Sequence, residues 1–127
     1  MEKLEYKLTP EILVETLAKA RTIPARNWRF SRTDGPYACG GERLVEQTIR
    51  TNLNERVDLR ITYCQHFRRL LCDESCELLL EGEGYIAEHK ASRNIDKEYH
   101  QIYQVYRDIR ERTESLDMNE IREALKT

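Results

Sequence analysis

The stretch "RVDLRITY", residues 56–63, decides how this chain folds. Val57, Leu59, Ile61 and Tyr63 alternate with polar residues at period two, the pattern of a strand with one buried face. Yet Val45, Ile49, Leu53, Val57 and Ile61 also recur at every fourth position, where helical side chains stack on one side. "CQHFRRLLC" then continues in helix-favouring residues without a turn signal. The reading adopted is a helix, or two helices jointed near Asn52 to Asn54, with the strand as its alternative.

Working outward from there, Thr9, Pro10 and Glu11 form a good helix start. Threonine caps, proline fits the first helical position and glutamate suits the positive end of the dipole. "TPEILVETLAKAR" is therefore the first helix. Pro24 and the cluster Asp34, Gly35, Pro36, Gly40 and Gly41 mark the following twenty or so residues as a long irregular loop. Asp73 or Ser75 caps a short helical segment "CELLLE", which Gly82 and Gly84 end. Ile95, Tyr99, Ile102, Tyr106 and Ile109 follow at spacings of four, three, four and three, the seam of a helix packed along another. A last helix starts at Asp117, which pairs with Glu120 as a capping box. The expected fold is mainly α: a single compact helical bundle over residues 1–127, with a long irregular loop after its first helix. The alternative is α+β with a short central antiparallel sheet.

At 127 residues the chain has room for one domain. Its 21 Lys and Arg against 23 Asp and Glu give a net charge of -2, which argues for neither a strongly basic nucleic-acid protein nor an acidic tail. The start "MEKLEYKLTPEILVETL" lacks the order of a signal peptide, and no apolar run is long enough to span a bilayer. A cytoplasmic protein with no membrane partner is expected. Its four cysteines, 39, 64, 72 and 76, should then be mostly reduced.

Three groups of residues could carry function. In the segment 21–37, Arg26, Arg29 and Arg32 interleave with Trp28, Phe30 and Tyr37, with no acidic residue between Glu15 and Asp34. Arginine binds phosphate through its planar fork and aromatic faces stack on unpaired bases, so this segment suits nucleic acid. An acidic protein partner would use the same surface, because tryptophan and arginine are common interface anchors. The opposing reading is a loop whose Trp28 and Phe30 fold back onto the core. The second group, Cys64, His66, Cys72 and Cys76, offers four zinc-preferred ligands within thirteen residues. On a helix, however, Cys64 and His66 point apart, and the cysteines read as small buried hydrophobes. No metal or other cofactor is expected.

The third group is "RNIDKEYH", Arg93 to His100, which resembles the arginine-to-histidine motif of the HEPN superfamily of small helical RNases and toxins. That resemblance rests on Arg93, Asn94 and His100. It implies a metal-independent RNase, with His100 near the ribose hydroxyl and Arg93 steadying the phosphate across a homodimer. Phosphate loops, dinucleotide glycine patterns and di-iron carboxylate-histidine pairs are missing from the sequence. The functional expectation is a small binding or regulatory protein that uses the arginine-aromatic segment to contact nucleic acid or a nucleic-acid-processing protein. An accessory or inhibitory subunit without catalytic activity fits the same surface. The seam over 95–113 serves either the core or a homodimer.

Overall fold

A computed structural model describes residues 2–35 and 42–126. The decisive stretch is a strand. Residues 56–63 lie in and just before β4 (Asp58–Arg68), which pairs antiparallel with β3 (Glu42–Asn52) on one side and β5 (Leu71–Glu81) on the other. The expected helical bundle is therefore replaced by a six-stranded mixed sheet carrying only two helices among the described residues.

The physical reason is that a spacing of four is also an even spacing. Residues 45, 49, 57 and 61 share one side of a helix, but they equally share one face of a strand. The positions between them decide. A helix burying Val45 and Ile49 also needs apolar residues three further on, and those are Thr48 and Asn52. A strand needs Leu59 and Tyr63, which are present and buried. The break near Asn52 to Asn54 is a hairpin turn: the Asn54 Oδ1 accepts from the backbone N–H groups of Arg56 (2.8 Å) and Val57 (3.0 Å). Likewise "CELLLE" is the second half of β5, in which Cys76, Leu78 and Leu80 are buried at period two.

The remaining elements complete one layered unit. β1 (Leu4–Lys7) leads into α1 (Pro10–Thr22), whose Thr9 cap accepts from the Ile12 N–H at 3.3 Å, as the sequence indicates. A single 3-10 turn (Ala25–Asn27) then feeds β2 (Arg29–Asp34), so much of the expected loop is an edge strand. From β2 the chain runs as an antiparallel meander through β3, β4, β5 and β6 (Tyr85–Ser92). β6 pairs in parallel with β1, giving the order β1-β6-β5-β4-β3-β2.

α2 (Glu98–Lys126) returns across one face of the sheet. The expected helix start at Asp117 lies inside α2. No glycine or proline interrupts this stretch, and ion pairs Arg107–Glu111 (3.1 Å) and Arg110–Glu114 (3.1 Å) support the helix one turn apart. No helix among the described residues is long and apolar enough to cross a membrane.

The core lies between the sheet and the helices. Leu13, Leu17 and Ala20 of α1, with Tyr99, Ile102, Val105, Tyr106 and Ile109 of α2, pack against Ile49, Leu59, Ile61, Leu78 and Leu80. The tyrosine-isoleucine seam is thus buried inside the chain, while Ile95 precedes the helix and is exposed. Tyr106 also donates to the Gln47 Oε1 at 2.9 Å, which ties α2 to β3.

Trp28 belongs to this core with 6% of its surface exposed, and its indole N–H has no partner among the described residues. Replacing it opens a cavity as well as removing apolar burial. Trp28→Ala should cost about 3–5 kcal/mol of stability in urea unfolding, and a loss below about 1 kcal/mol would be incompatible with this placement.

Candidate functional site

Strand alternation divides the sheet into two chemically different faces. Ile49, Ile61 and Leu78 meet in register under the helices. Their neighbours one step along each strand point the other way, onto a face that no described element covers. Residues paired directly across strands share a face, so this outer face can be read row by row.

One row is unusual. Arg29 of β2 stands opposite Arg50 of β3, and Arg50 stands opposite Arg60 of β4. Three guanidinium groups therefore occupy consecutive positions on three adjacent strands, whose spacing is about 4.8 Å. Like charges directly opposite each other destabilise a sheet by roughly 0.2–1 kcal/mol per pair. Arg60 is steadied by Glu81 at 3.5 Å, and Glu81 is itself held by Lys3 at 2.6 Å. The Lys3 hydrogen bond keeps the Glu81 carboxyl below the ordinary carboxylate value, against the opposing effect of burial. Neither Arg29 nor Arg50 makes an ion pair among the described residues.

The three arginines line a concavity of about 270 Å³ together with Asn27, Thr51, Asn52 and Asp58. Thr51 braces its wall by donating to the Asn27 carbonyl at 2.9 Å. Guanidinium and amide groups converging on a hollow are donors for an anion with several acceptor oxygens. The next row, Ser31, Thr48, Thr62 and Glu77, has no cation, and its Thr48 and Thr62 hydroxyls are 3.0 Å apart.

Of the residues singled out in the sequence, Arg29 alone joins this row. Arg26 is exposed on the 3-10 turn, and Arg32 pairs with Asp34 at 3.1 Å, which Arg43 also reaches. Phe30 points to the helix side, where the Arg110 guanidinium lies 3.5 Å from its ring centroid. Trp28 is core, and Tyr37 and Cys39 lie outside the described residues. The arginine row therefore has no Phe, Tyr or Trp beside it on the outer face. Arg50 and Arg60 escaped the sequence reading, although they stand symmetrically five residues either side of Glu55 at the hairpin turn. That symmetry is visible only once the hairpin is recognised.

The zinc candidates are divided by the same alternation. Cys64 and His66 lie on the outer face, whereas Cys72 and Cys76 project on the helix side, opposite Phe67 and Tyr63. Among the described residues no group of three or more ligating side chains is placed to hold a metal. Burial pushes the Cys64 and Cys76 thiols up, away from the thiolate a metal prefers. His66 instead approaches Glu42 at 3.3 Å.

Arg93 and His100 have different neighbours. Arg93 is paired with the Glu74 carboxylate, which also accepts from the Tyr63 hydroxyl. His100 lines a groove with Val14, Leu17 and Ala18 of α1. The all-helical fold implied by the motif is also absent. Burial pushes the Glu74 carboxyl up, but the Tyr63 and Arg93 hydrogen bonds outweigh it and hold the group below its ordinary value.

No protein-family profile, curated protein or solved structure matches this chain. Fold and face together describe a two-layer α/β protein with one sheet face buried under helices. The other face is open and bears a local cationic hollow.

Two outcomes test this account. Arg50→Gln should raise stability by about 0.5–1 kcal/mol at low ionic strength, because it removes two like-charge pairs. The gain should vanish in 1 M salt, where the screening length is about 3 Å. An Arg50→Gln protein less stable than wild type at low salt would contradict an unrelieved arginine row. For Glu74, a lowered folded-state pKa contributes stability that is complete above the unfolded carboxyl value of about 4.3 and is lost as pH falls through the folded value. Glu74→Gln should therefore be less stable than wild type at pH 7, with the gap closing on acidification below about pH 4. A gap independent of pH would contradict this electrostatic origin.

Proposed function

We propose that this protein binds nucleic acid through its open sheet face, with Arg29, Arg50 and Arg60 contacting phosphate. The observation that carries the reading is the row of three arginines around one hollow, two of them without an ion pair among the described residues. A fold tolerates such repulsion where an anion relieves it in the working state. The surroundings favour nucleic acid over an acidic protein. Asn27, Asn52, Ser31, Thr48 and Thr62 offer hydrogen bonds suited to phosphate and sugar oxygens. No aromatic anchor of the kind that dominates protein interfaces stands in the row.

The expected chemistry is contact with phosphate and little base readout. Sequence-specific recognition of single strands draws on stacking platforms, and the described outer-face positions carry no Phe, Tyr or Trp, with His66 three rows from the arginines. The protein would thus position or protect a nucleic acid, or present it to another protein, by reading charge and shape.

Fluorescence anisotropy with labelled single-stranded RNA and DNA, measured across a salt series, tests the proposal. Three arginines acting on phosphate predict that log K falls against log salt, with a slope of at most roughly -2 for single strands. The double variant Arg29→Glu with Arg50→Glu should abolish binding while circular dichroism remains unchanged. Binding that is insensitive to salt, or that survives in the folded double variant, would overturn the reading.

A further inference from the structure

We infer that the arginine hollow is a seat for a terminal phosphomonoester, the phosphate at the end of a nucleic-acid strand or on a mononucleotide, and not for the diesters of a strand running over the sheet. This deepens the phosphate-binding reading above and rests on it.

The distribution of charge is the first argument. Cationic side chains on β2, β3 and β4 are concentrated in one row of the outer face. Moving along the strands in one direction, the next two rows on β2 to β4 are Ser31, Thr48 and Thr62, then Thr33, Glu46 and Cys64. β5 adds Glu77 to the first of these, and Lys90 of β6 is taken up by that glutamate at 3.4 Å. In the other direction the Asn52–Asp58 pair closes the row with a carboxylate. Across the strands, Arg60 is followed by Leu79 and then Glu88. A strand continuing along this face beyond the hollow would leave the arginines and meet Glu46 two rows on. The row fits one anionic group, with no further cation in the two rows beyond it on β2 to β4.

Charge matching is the second. Arg60 is partly neutralised by Glu81, which leaves two guanidinium groups free of ion pairs among the described residues. A phosphomonoester carries about -1.5 to -2 at pH 7 and presents three acceptor oxygens, whereas an internal diester carries a single charge. Arg60, held by Glu81 and through it by Lys3, stands beside the two arginines that make no ion pair among the described residues. Asn27, Thr51, Asn52 and Asp58 complete the lining of a hollow of about 270 Å³.

A monoester also titrates where a diester does not, with a second pKa near 6. The charged groups facing the hollow are Arg29 from β2, Arg50 from β3, Asp58 and Arg60 from β4, and Glu81 from β5, with Lys3 behind Glu81. None is a histidine, and His66 lies three rows away on β4. Binding that strengthens as pH rises through about 6 would thus come from the ligand's own second ionisation.

The experiment compares one oligonucleotide sequence made with a 5′-phosphate, with a 3′-phosphate and with hydroxyls at both ends, at pH 5 and pH 7.5. A nucleoside monophosphate and inorganic phosphate serve as competitors. A phosphate at either end should tighten binding about ten-fold at pH 7.5. The advantage should shrink at pH 5 and disappear in the Arg50→Gln protein. Competition by the mononucleotide or by inorganic phosphate at millimolar concentration would assign the seat to the phosphate group itself. Failure of both to compete, beside a full end effect, would assign it to a strand end.

Equal, salt-sensitive binding of the hydroxyl-ended oligonucleotide would overturn the terminal-phosphate seat and leave the nucleic-acid reading standing. Binding of inorganic phosphate or mononucleotide with no affinity for any oligonucleotide would support the seat and overturn the nucleic-acid reading. No binding of any of these ligands would overturn both.

Discussion

The pairing register between β3 and β4 is the constraint on which the rest of this molecule depends. Ile49 opposite Ile61, and Thr51 opposite Leu59, bring Val45, Ile49, Leu59, Ile61 and Tyr63 onto one face. A shift of one residue would send that whole set into water. The turn at Asn54 sets the register locally, and the same alternation continues into β5, where Leu78 faces Ile61. Burying a row of this kind requires a cover, which α1 and α2 provide.

The helices act as a lid for one side only. α2 places Tyr99, Ile102, Tyr106 and Ile109 along its inner side, and Tyr63 of the sheet meets Tyr103 and Tyr106 with ring centroids 5.0 and 5.6 Å apart. Burial pushes the Tyr106 hydroxyl up to about 12, so it stays neutral and donates to Gln47. Polar groups that enter this side have partners of this kind, as Glu74 does with Tyr63 and Arg93. The indole of Trp28 and the Nε2 of His89 are exceptions among the described residues.

Because one face takes the apolar residues, the other is free to be chosen for a different purpose. Away from its arginine row, opposite charges or hydroxyls meet across strands at Thr48–Thr62, Glu77–Lys90 and Asp73–Arg68. The arginine row departs from that pattern at the end of the sheet. Similar numbers of acids and bases in the whole chain conceal it, since net charge sums over both faces and both ends. A local cationic hollow on a slightly acidic protein is therefore a statement about placement, which composition cannot carry.

By itself the sequence determined the features that depend on neighbours along the chain. The Thr9 cap and Pro10 start α1, the Ile102, Tyr106 and Ile109 spacing makes one side of α2 apolar, and Asn52 to Asn54 interrupts the pattern between two apolar runs. It left the class of fold open at residues 45–61, because an apolar step of four satisfies a helix and a strand alike. Tertiary structure decided between them by supplying partners, for a strand has no backbone hydrogen bonds of its own and exists only through the strands beside it. The same non-local pairing placed Trp28 in the core, divided Cys64 from Cys76, and assembled Arg29, Arg50 and Arg60 from three separate segments. Side chains far apart along the chain become one site only when register sets them side by side, and register is a property of strands in contact.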